Sequence, residues 1–278
     1  MLAMMKMHLS RLSTNILFGF AALLIFESVA NAQTLTYERD EQPTLEMILD
    51  AREVFEYKVT YGFLTLGWVD VELLPDTTYN GEQVYHMRTK IRSNRRVPFV
   101  GTRIVNYENL FSVSNDTIYS HKFWRDDIHD EIYEAAKIEF DRETNEVRFF
   151  EDGEPADTLE LEDPASGGDI VFFYSRLFAG IEDSYRLPVY IENEKGKLEA
   201  TSGSRTSTRM YEAFEEPVET YFSEGTADIE GPFGFRGRYR AWYATDDLRV
   251  PLEAHVRVIF GNVKVRLISY ERRNGNDL

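Results

Sequence analysis

Residues 252–267 read Leu252-Glu-Ala-His-Val-Arg-Val-Ile-Phe-Gly-Asn-Val-Lys-Val-Arg-Leu267. Leu252, Ala254, Val256, Val258 and Phe260 alternate with Glu253, His255 and Arg257, the period of a strand with one buried face. Gly261-Asn262 predicts the turn, and Val263, Val265 and Leu267 run back. A hairpin of this kind needs further strands beside it to be stable.

The same period recurs on both sides of this hairpin. Phe235, Gly237, Tyr239, Ala241 and Tyr243 alternate with Arg236, Arg238, Arg240 and Trp242. Near the start, Phe55, Tyr57, Val59, Tyr61 and Phe63 alternate with Glu56, Lys58 and Thr60. Gly62 and Gly67 interrupt that run, which predicts a bend or bulge before Val69, Val71 and Leu73. Asn80-Gly81 marks a tight hairpin, after which Tyr85, Met87, Thr89 and Ile91 alternate with His86, Arg88, Lys90 and Arg92. Pro98-Phe-Val-Gly101 predicts a corner. Further strands are predicted over 102–113, 117–124, 132–140, 147–150, 185–192, 197–210 and 218–229. The acidic stretch 151–164 reads as an exposed connection.

One helix interrupts the strands. Asp169 stands where an acid favours a helix N-terminus, Ile170, Phe173, Tyr174, Leu177 and Phe178 keep the helical spacing, and Gly180 would end it. Such a helix either covers a core or lids a cavity. Periodicity reports burial alone and favours the first. The expected fold is mainly β, an antiparallel barrel or curved half-barrel of about 11–12 strands with one central helix, because so many strands coil to limit their edges. No linker or internal repeat divides the chain. The expected organisation is an N-terminal extension at 33–50, a single β domain at 51–271 and a tail at 272–278.

Residues 1–32 read as a cleaved signal peptide. Lys6 and Arg11 precede an uncharged stretch, Ile16–Phe26, and Ala30-Asn-Ala32 supplies the small residues of a cleavage site. Eleven apolar residues fall short of the roughly 20 that span a bilayer, and no later run is longer. The 278-residue chain has no cysteine, hence no lipoprotein anchor, disulfide, thiolate metal site or cysteine nucleophile. Cleavage would leave 246 residues, and the predicted location is the periplasm. The net charge of −17 speaks against nucleic acid, whose phosphates need Lys and Arg. Aromatics at 14% provide ample material for a core.

Candidate chemistry is sparse. No nucleophile elbow, zinc-protease, phosphate-loop or dinucleotide fingerprint occurs, and no cofactor is implied. His121, Asp126, Asp127 and His129 are metal-ligand types without a tight-binding spacing, and a solvated hairpin end is the favoured reading of them. Asp246-Asp247 is either an acid–base pair or, with Pro251, a turn. Arg88, Lys90 and Arg92, with Arg95 and Arg96 beyond them, and Arg236, Arg238 and Arg240 form basic stripes. They either bind an anionic head group or pair across strands with carboxylates.

Several motifs in order carry a resemblance. Phe55-Glu-Tyr-Lys-Val-Thr-Tyr-Gly62 to Gly67, Asp169-Ile-Val-Phe-Phe-Tyr-Ser-Arg176, and Gly237 to Pro251 with Trp242 and Asp247, followed by Gly261, resemble the family catalogued as domain of unknown function 3108. The likeness spans about residues 50–271, with 181–234 its least similar part. It implies an exported antiparallel β protein, similar in shape to the lipid-carrying half-barrels of lipoprotein sorting, and no reaction. It implies structural roles for Gly62, Gly67, Asp169, Arg176, Trp242, Asp247, Pro251 and Gly261. The function expected is a non-enzymatic binding or carrier protein for a lipid, acyl chain or glycan of the envelope. The alternatives are a hydrolase or metal-dependent enzyme using residues 121–131, and a scaffold for an envelope protein partner.

Overall fold

The computed structural model describes residues 35–37, 41–97, 101–231, 235–258 and 261–273, and the account that follows concerns these. The signal reading at 1–32 and most of the corner at 98–101 lie outside them.

Fifteen strands make one sheet. In chain order they are β1 (Glu53–Tyr61), β2 (Leu64–Tyr79), β3 (Glu82–Ser93), β4 (Arg103–Ser114), β5 (Thr117–His129), β6 (Ile132–Asp141), β7 (Glu146–Glu151), β8 (Glu154–Glu160), β9 (Ser166–Gly167), β10 (Ser184–Ile191), β11 (Glu194–Arg209), β12 (Val218–Gly231), β13 (Phe235–Ala244), β14 (Pro251–Val258) and β15 (Gly261–Arg272). Two meanders, β1–β8 and β9–β15, are joined at the middle by antiparallel pairing of β1 with β15. The mainly β, curved-sheet expectation holds, but the strand number is higher than sequence patterning suggested. β8 is an exposed edge with no buried face to create an alternation, and β9 is two residues paired parallel to β10.

The sheet remains open in pairing, yet its free end folds back on itself. The Ser120 N–H on β5 donates to the Ala165 carbonyl at 3.1 Å, and Tyr190 on β10 packs edge-on against Phe140 on β6, centroids 5.7 Å apart. Ile91, Val105, Tyr107, Phe123, Phe149 and Tyr190 belong to one buried cluster along this seam. A Cβ on Gly167 would lie 2.6 Å from the Phe123 ring, so only glycine permits so close an approach.

The hairpin between β14 and β15 is present, but the predicted turn residues are strand residues. Gly261 pairs with Val258 and Asn262 with Arg257, so Gly261-Asn262 belongs to β15 and is not the turn. Gly261 has φ +141°, and a Cβ there would sit 3.1 Å from the Tyr61 ring. The glycine answers a neighbour across the sheet rather than a turn.

The antiparallel meander gives the sheet two ends. The lower end holds the start of β1, the end of β15 and the turns β2–β3, β4–β5 and β13–β14. The upper end holds the β1–β2, β3–β4, β5–β6, β10–β11 and β14–β15 connections. A helix that patterning did not foresee, α1 (Leu45–Asp50), lies at the lower end, capped by Thr44. Its Leu45 N–H donates to Asp116 in the β4–β5 turn at 2.8 Å, and Leu45, Ile48 and Leu49 are fully buried. The stretch read as an extension thus supplies core residues.

The predicted central helix is a composite: a 3-10 turn over Gly168–Ile170, α2 (Val171–Tyr174), and a second 3-10 turn over Ser175–Phe178. It runs inside the sheet toward the lower end, where Ile170 and Phe173 join α1, Phe55, Phe111 and Leu252 in the largest buried cluster.

Candidate functional site

On β2, β14 and β15 the inward residues change character from the lower to the upper end. On β15, Tyr270 and Leu267 are buried, whereas Val265 and Val263 above them are half-exposed. On β2, Leu73 and Val71 are buried and Val69 is not. On β14, Leu252 is buried, and Ala254 and Val256 are half-exposed. These side chains point into the sheet's concavity and are only partly covered there. Together they enclose a cavity of about 410 Å³ that also touches Tyr107, Phe123 and Ile229. The helical segment forms one wall through Gly168, Val171, Phe172 and Ser175. The rise in exposure toward Val263 and Val256 places the mouth at the upper end.

The polar groups of the wall are mostly satisfied by one another. Tyr57 Oη donates to the Pro251 carbonyl at 2.8 Å, and the Tyr185 and Tyr239 hydroxyls lie 3.2 Å apart. Burial raises the Tyr57 and Tyr185 hydroxyls well above the usual tyrosine value and pushes Tyr107 up to about 12. These phenols are therefore neutral near pH 7. Thr89 Oγ1 is buried without a hydrogen-bond partner. Glu253 also touches the wall, but its carboxylate turns outward to Arg209 at 3.0 Å and to His255 at 2.5 Å.

Asp169 stands where the helical segment meets this wall. Asn109 Nδ2 donates to its Oδ1 at 2.9 Å, and its other oxygen has no partner. Burial pushes its carboxyl up to about 6. Asn109, fully buried on β4, carried no sequence signal of this role, because an Asn among strand residues looks like any outward polar side chain.

Below the cavity the floor is held by a buried ionic cluster. Arg176 and Glu53 are fully buried and joined by an Nη1–Oε2 contact of 2.7 Å. Arg176 Nε donates to the Leu248 carbonyl at 2.8 Å, and Tyr270 Oη donates to Glu53 Oε1 at 2.7 Å. Asp246 accepts from the Val250 N–H at 2.8 Å, closing the turn between β13 and β14, and burial pushes its carboxyl up to about 7. Asp247 faces Arg272 at 3.4 Å, and its N–H donates to the Thr36 carbonyl at 2.8 Å. Asp246-Asp247 thus forms a turn that binds three chain segments. The family resemblance marked Arg176 and Asp247 but not Glu53, which opens β1 inside a polar-looking stretch.

The basic stripes lie on the other face of the sheet from the cavity. Arg88 contacts Glu72 at 3.6 Å and Glu108 at 3.4 Å, and Arg92 contacts Asp70 at 2.9 Å and Glu56 at 3.1 Å. Arg88 and Lys90 border a shallow outer hollow with Glu56, Asp70, Glu72 and Glu271. Arg236 pairs with Asp228 at 3.2 Å, while Arg238 and Arg240 are exposed. Trp242, also outward, lies under the Arg209 guanidinium at 4.1 Å and beside His255. Pro251 pairs with Tyr243 at the start of β14, and Gly67 approaches the Arg92 carbonyl so closely that a Cβ would come within 2.2 Å. Gly62 takes φ +58° in the β1–β2 turn.

The His121–His129 residues do not converge. His121 Nε2 contacts Ser112 Oγ at 2.9 Å, Asp127 is buried against Arg103, Asp126 accepts from Tyr133 Oη at 2.5 Å, and His129 lies 3.7 Å from Asp130. Among the described residues no three His, Asp or Glu side chains gather as a ligand set. No helix of the described residues is long and apolar enough to cross a membrane.

The profile of a family described as "Protein of unknown function (DUF3108)" matches residues 56–268. No curated protein matches the sequence. A β-barrel-like protein of the domain of unknown function DUF1849 from Brucella abortus superposes with a TM-score of 0.50 at 8% identity, over 80% of this chain and 98% of that one. A Bacteroides fragilis protein with a YmcC-like fold reaches a TM-score of 0.34 at 7% identity, over 86% of this chain and all of that one. The first likeness concerns the fold alone.

Proposed function

The chain belongs to the DUF3108 family of proteins of unknown function, and from that premise we propose that it binds and carries an acyl chain or similar apolar chain of the cell envelope. One observation carries this reading: strand residues that should face a packed core, Val69, Val256, Val263 and Val265, instead line a hollow of about 410 Å³. Protein interiors are normally packed to the density of organic crystals, so an apolar void of this size is costly unless something occupies it. Its volume lies within the roughly 300–1,000 Å³ of small-molecule sites. The wall's neutral phenols and aliphatic side chains suit a hydrocarbon chain rather than a sugar, whose hydroxyls would find few partners there. Export to the periplasm, through the N-terminal segment read as a cleaved signal, places the carrier among such ligands.

Mass spectrometry of the protein under non-denaturing conditions, with solvent extraction of whatever leaves it, tests the reading directly. A stoichiometric fatty acid or lipid is the expected result. In parallel, Val265→Phe with Ala254→Phe fills the hollow. Displacement of a fluorescent fatty acid should then weaken at least about tenfold while the melting temperature holds. Equal binding by the parent and the filled variant overturns the proposal.

A further inference from the structure

Exposed apolar side chains are distributed unevenly between the two ends. Of the seven large ones among the described residues, five belong to two upper-end hairpins: Phe63 and Leu64 at β1–β2, and Ile128, Ile132 and Tyr133 at β5–β6. Phe63 is 95% exposed. The tight lower-end hairpins show what such turns need for folding alone: Asn80-Gly81, Asn115-Asp116 and the 142–145 turn carry no large apolar residue, although the longer β11–β12 connection at that end carries exposed Met210. At β1–β2 the positive φ of Gly62 already meets the demand of the turn, so Phe63 adds nothing to the fold and costs solubility.

The charge around Phe63 runs against that of the chain. The Asn94 N–H donates to the Leu66 carbonyl at 2.7 Å and Asn94 Nδ2 to the Thr65 carbonyl at 2.8 Å, which draws exposed Arg95 and Arg96 beside the β1–β2 tip. On the other flank Lys264 pairs across strands with Thr60, and Arg257 with Asn262. All four cations are exposed, and among the described residues none forms an ion pair with a carboxylate, in a chain of net charge −17. The carboxylates nearest the second tip, Asp130 and Glu131, belong to the β5–β6 turn, so the cationic side of the rim is the Phe63 side.

We propose that the β1–β2 tip, with Arg95, Arg96, Arg257 and Lys264 around it, docks on an anionic lipid surface. An apolar side chain that enters the interface and cations that meet its head groups are the two signals that together hold a protein on a membrane. A second protein copy is the weaker occupant, because two like-charged cationic rims would face each other. Docked this way, the protein turns the cavity mouth toward the surface. The proposal rests on the rim alone and does not require an occupied cavity.

The test is flotation of the purified protein with phosphatidylcholine vesicles, with and without phosphatidylglycerol. The parent should float with the anionic vesicles and leave them at high salt, as screening weakens the cationic contacts. Phe63→Asp should lower partitioning at least about tenfold. Arg95→Glu with Arg96→Glu should abolish the preference for anionic vesicles. Asn80→Asp, at the opposite end, should change nothing. Phe63 is solvent-exposed, so these variants should keep the parent's melting temperature and leave fatty-acid displacement unaltered. The idea fails if Phe63→Asp floats as the parent does, since another segment would then hold the membrane. It fails equally if the parent floats with no vesicle, or if sedimentation shows a dimer that Phe63→Asp dissolves.

Discussion

The lower end of the curved sheet and the part of its upper end formed by β2, β14 and β15 share strands and period, yet only the first is filled. Below, α1 and α2 bring Leu45, Ile48, Leu49 and Phe173 against Phe55, Phe111 and Leu252, and every one of these side chains is buried. Above, the same strands present Val69, Val256, Val263 and Val265 to a void. The difference arises from what is placed inside the sheet and not from the sheet itself. A strand decides which side chains point inward. A second layer decides whether they touch anything.

The largest effect that can break this contrast lies in the floor. Arg176→Met would leave Glu53 buried without its cation, and stability should fall by about 3–5 kcal/mol in urea unfolding. Glu53→Gln combined with Arg176→Met removes both charges and should recover part of that loss. If the single substitution proves neutral, the ionic cluster does not hold the filled half together.

Next comes packing. Leu49→Ala on α1 removes a fully buried side chain from a filled core and should cost about 2–5 kcal/mol. Val265→Ala removes methyls that already border the hollow and should cost about 1 kcal/mol or less. The ratio of the two, measured by the same denaturant titration, sharpens the distinction between filled and hollow halves. Similar losses at both positions would mean the upper half is packed.

The inward–outward alternation was legible because it is local. Met87, Thr89 and Ile91 against Arg88, Lys90 and Arg92 can be assigned to opposite faces from the sequence, and the register bears this out. The cross-strand pairing of Arg88 and Arg92 was one of the two readings their pattern allowed. The hollow was not legible, because Val265 and Leu267 are equally good inward residues. Only how fully each is covered from across the sheet separates them, and that is a long-range property. For the same reason α1 went unseen: six residues, Leu45–Asp50, are too few for a helical period to stand out, and tertiary contact sustains them. Glu53 was hidden because its cation lies 123 positions away.

The next effect concerns pH. Asp246, at the floor, is pushed up to about 7 by burial, and Asp169, beside the cavity wall, up to about 6. An unfolded aspartate titrates near pH 4, so between about pH 4 and 7 the folded protein keeps protons that the unfolded chain has released. Stability must therefore fall as pH rises through that window, by about 3–4 kcal/mol between pH 5 and pH 8. Repulsion within a chain of net charge −17 acts in the same direction, so the parent's slope alone does not identify the group. Asp246→Asn keeps an oxygen for the Val250 N–H and removes the titration. The difference in stability between pH 5 and pH 8 should shrink in this variant. An unchanged slope would assign the effect to Asp169 or to the net charge.

The smallest effect is also the sharpest discriminator, because it compares one substitution at two alanines. Ala244 is fully buried in the lower cluster, and Ala254, which pairs with Ala241 on the adjacent strand, faces the hollow. Adding methylenes to a filled core forces neighbours off their rotamers, so Ala244→Leu should cost about 1–3 kcal/mol. Ala254→Leu pushes into space and should change stability by no more than about 0.5 kcal/mol, because the new apolar surface is only partly covered. Its consequence should appear in binding instead: a larger side chain at 254 narrows the hollow and should weaken fatty-acid displacement while leaving the unfolding curve where it was. Destabilisation at 254 matching that at 244 would mean the space is not free to be filled. A stable protein with unaltered binding would mean that the space is free and that the ligand lies elsewhere.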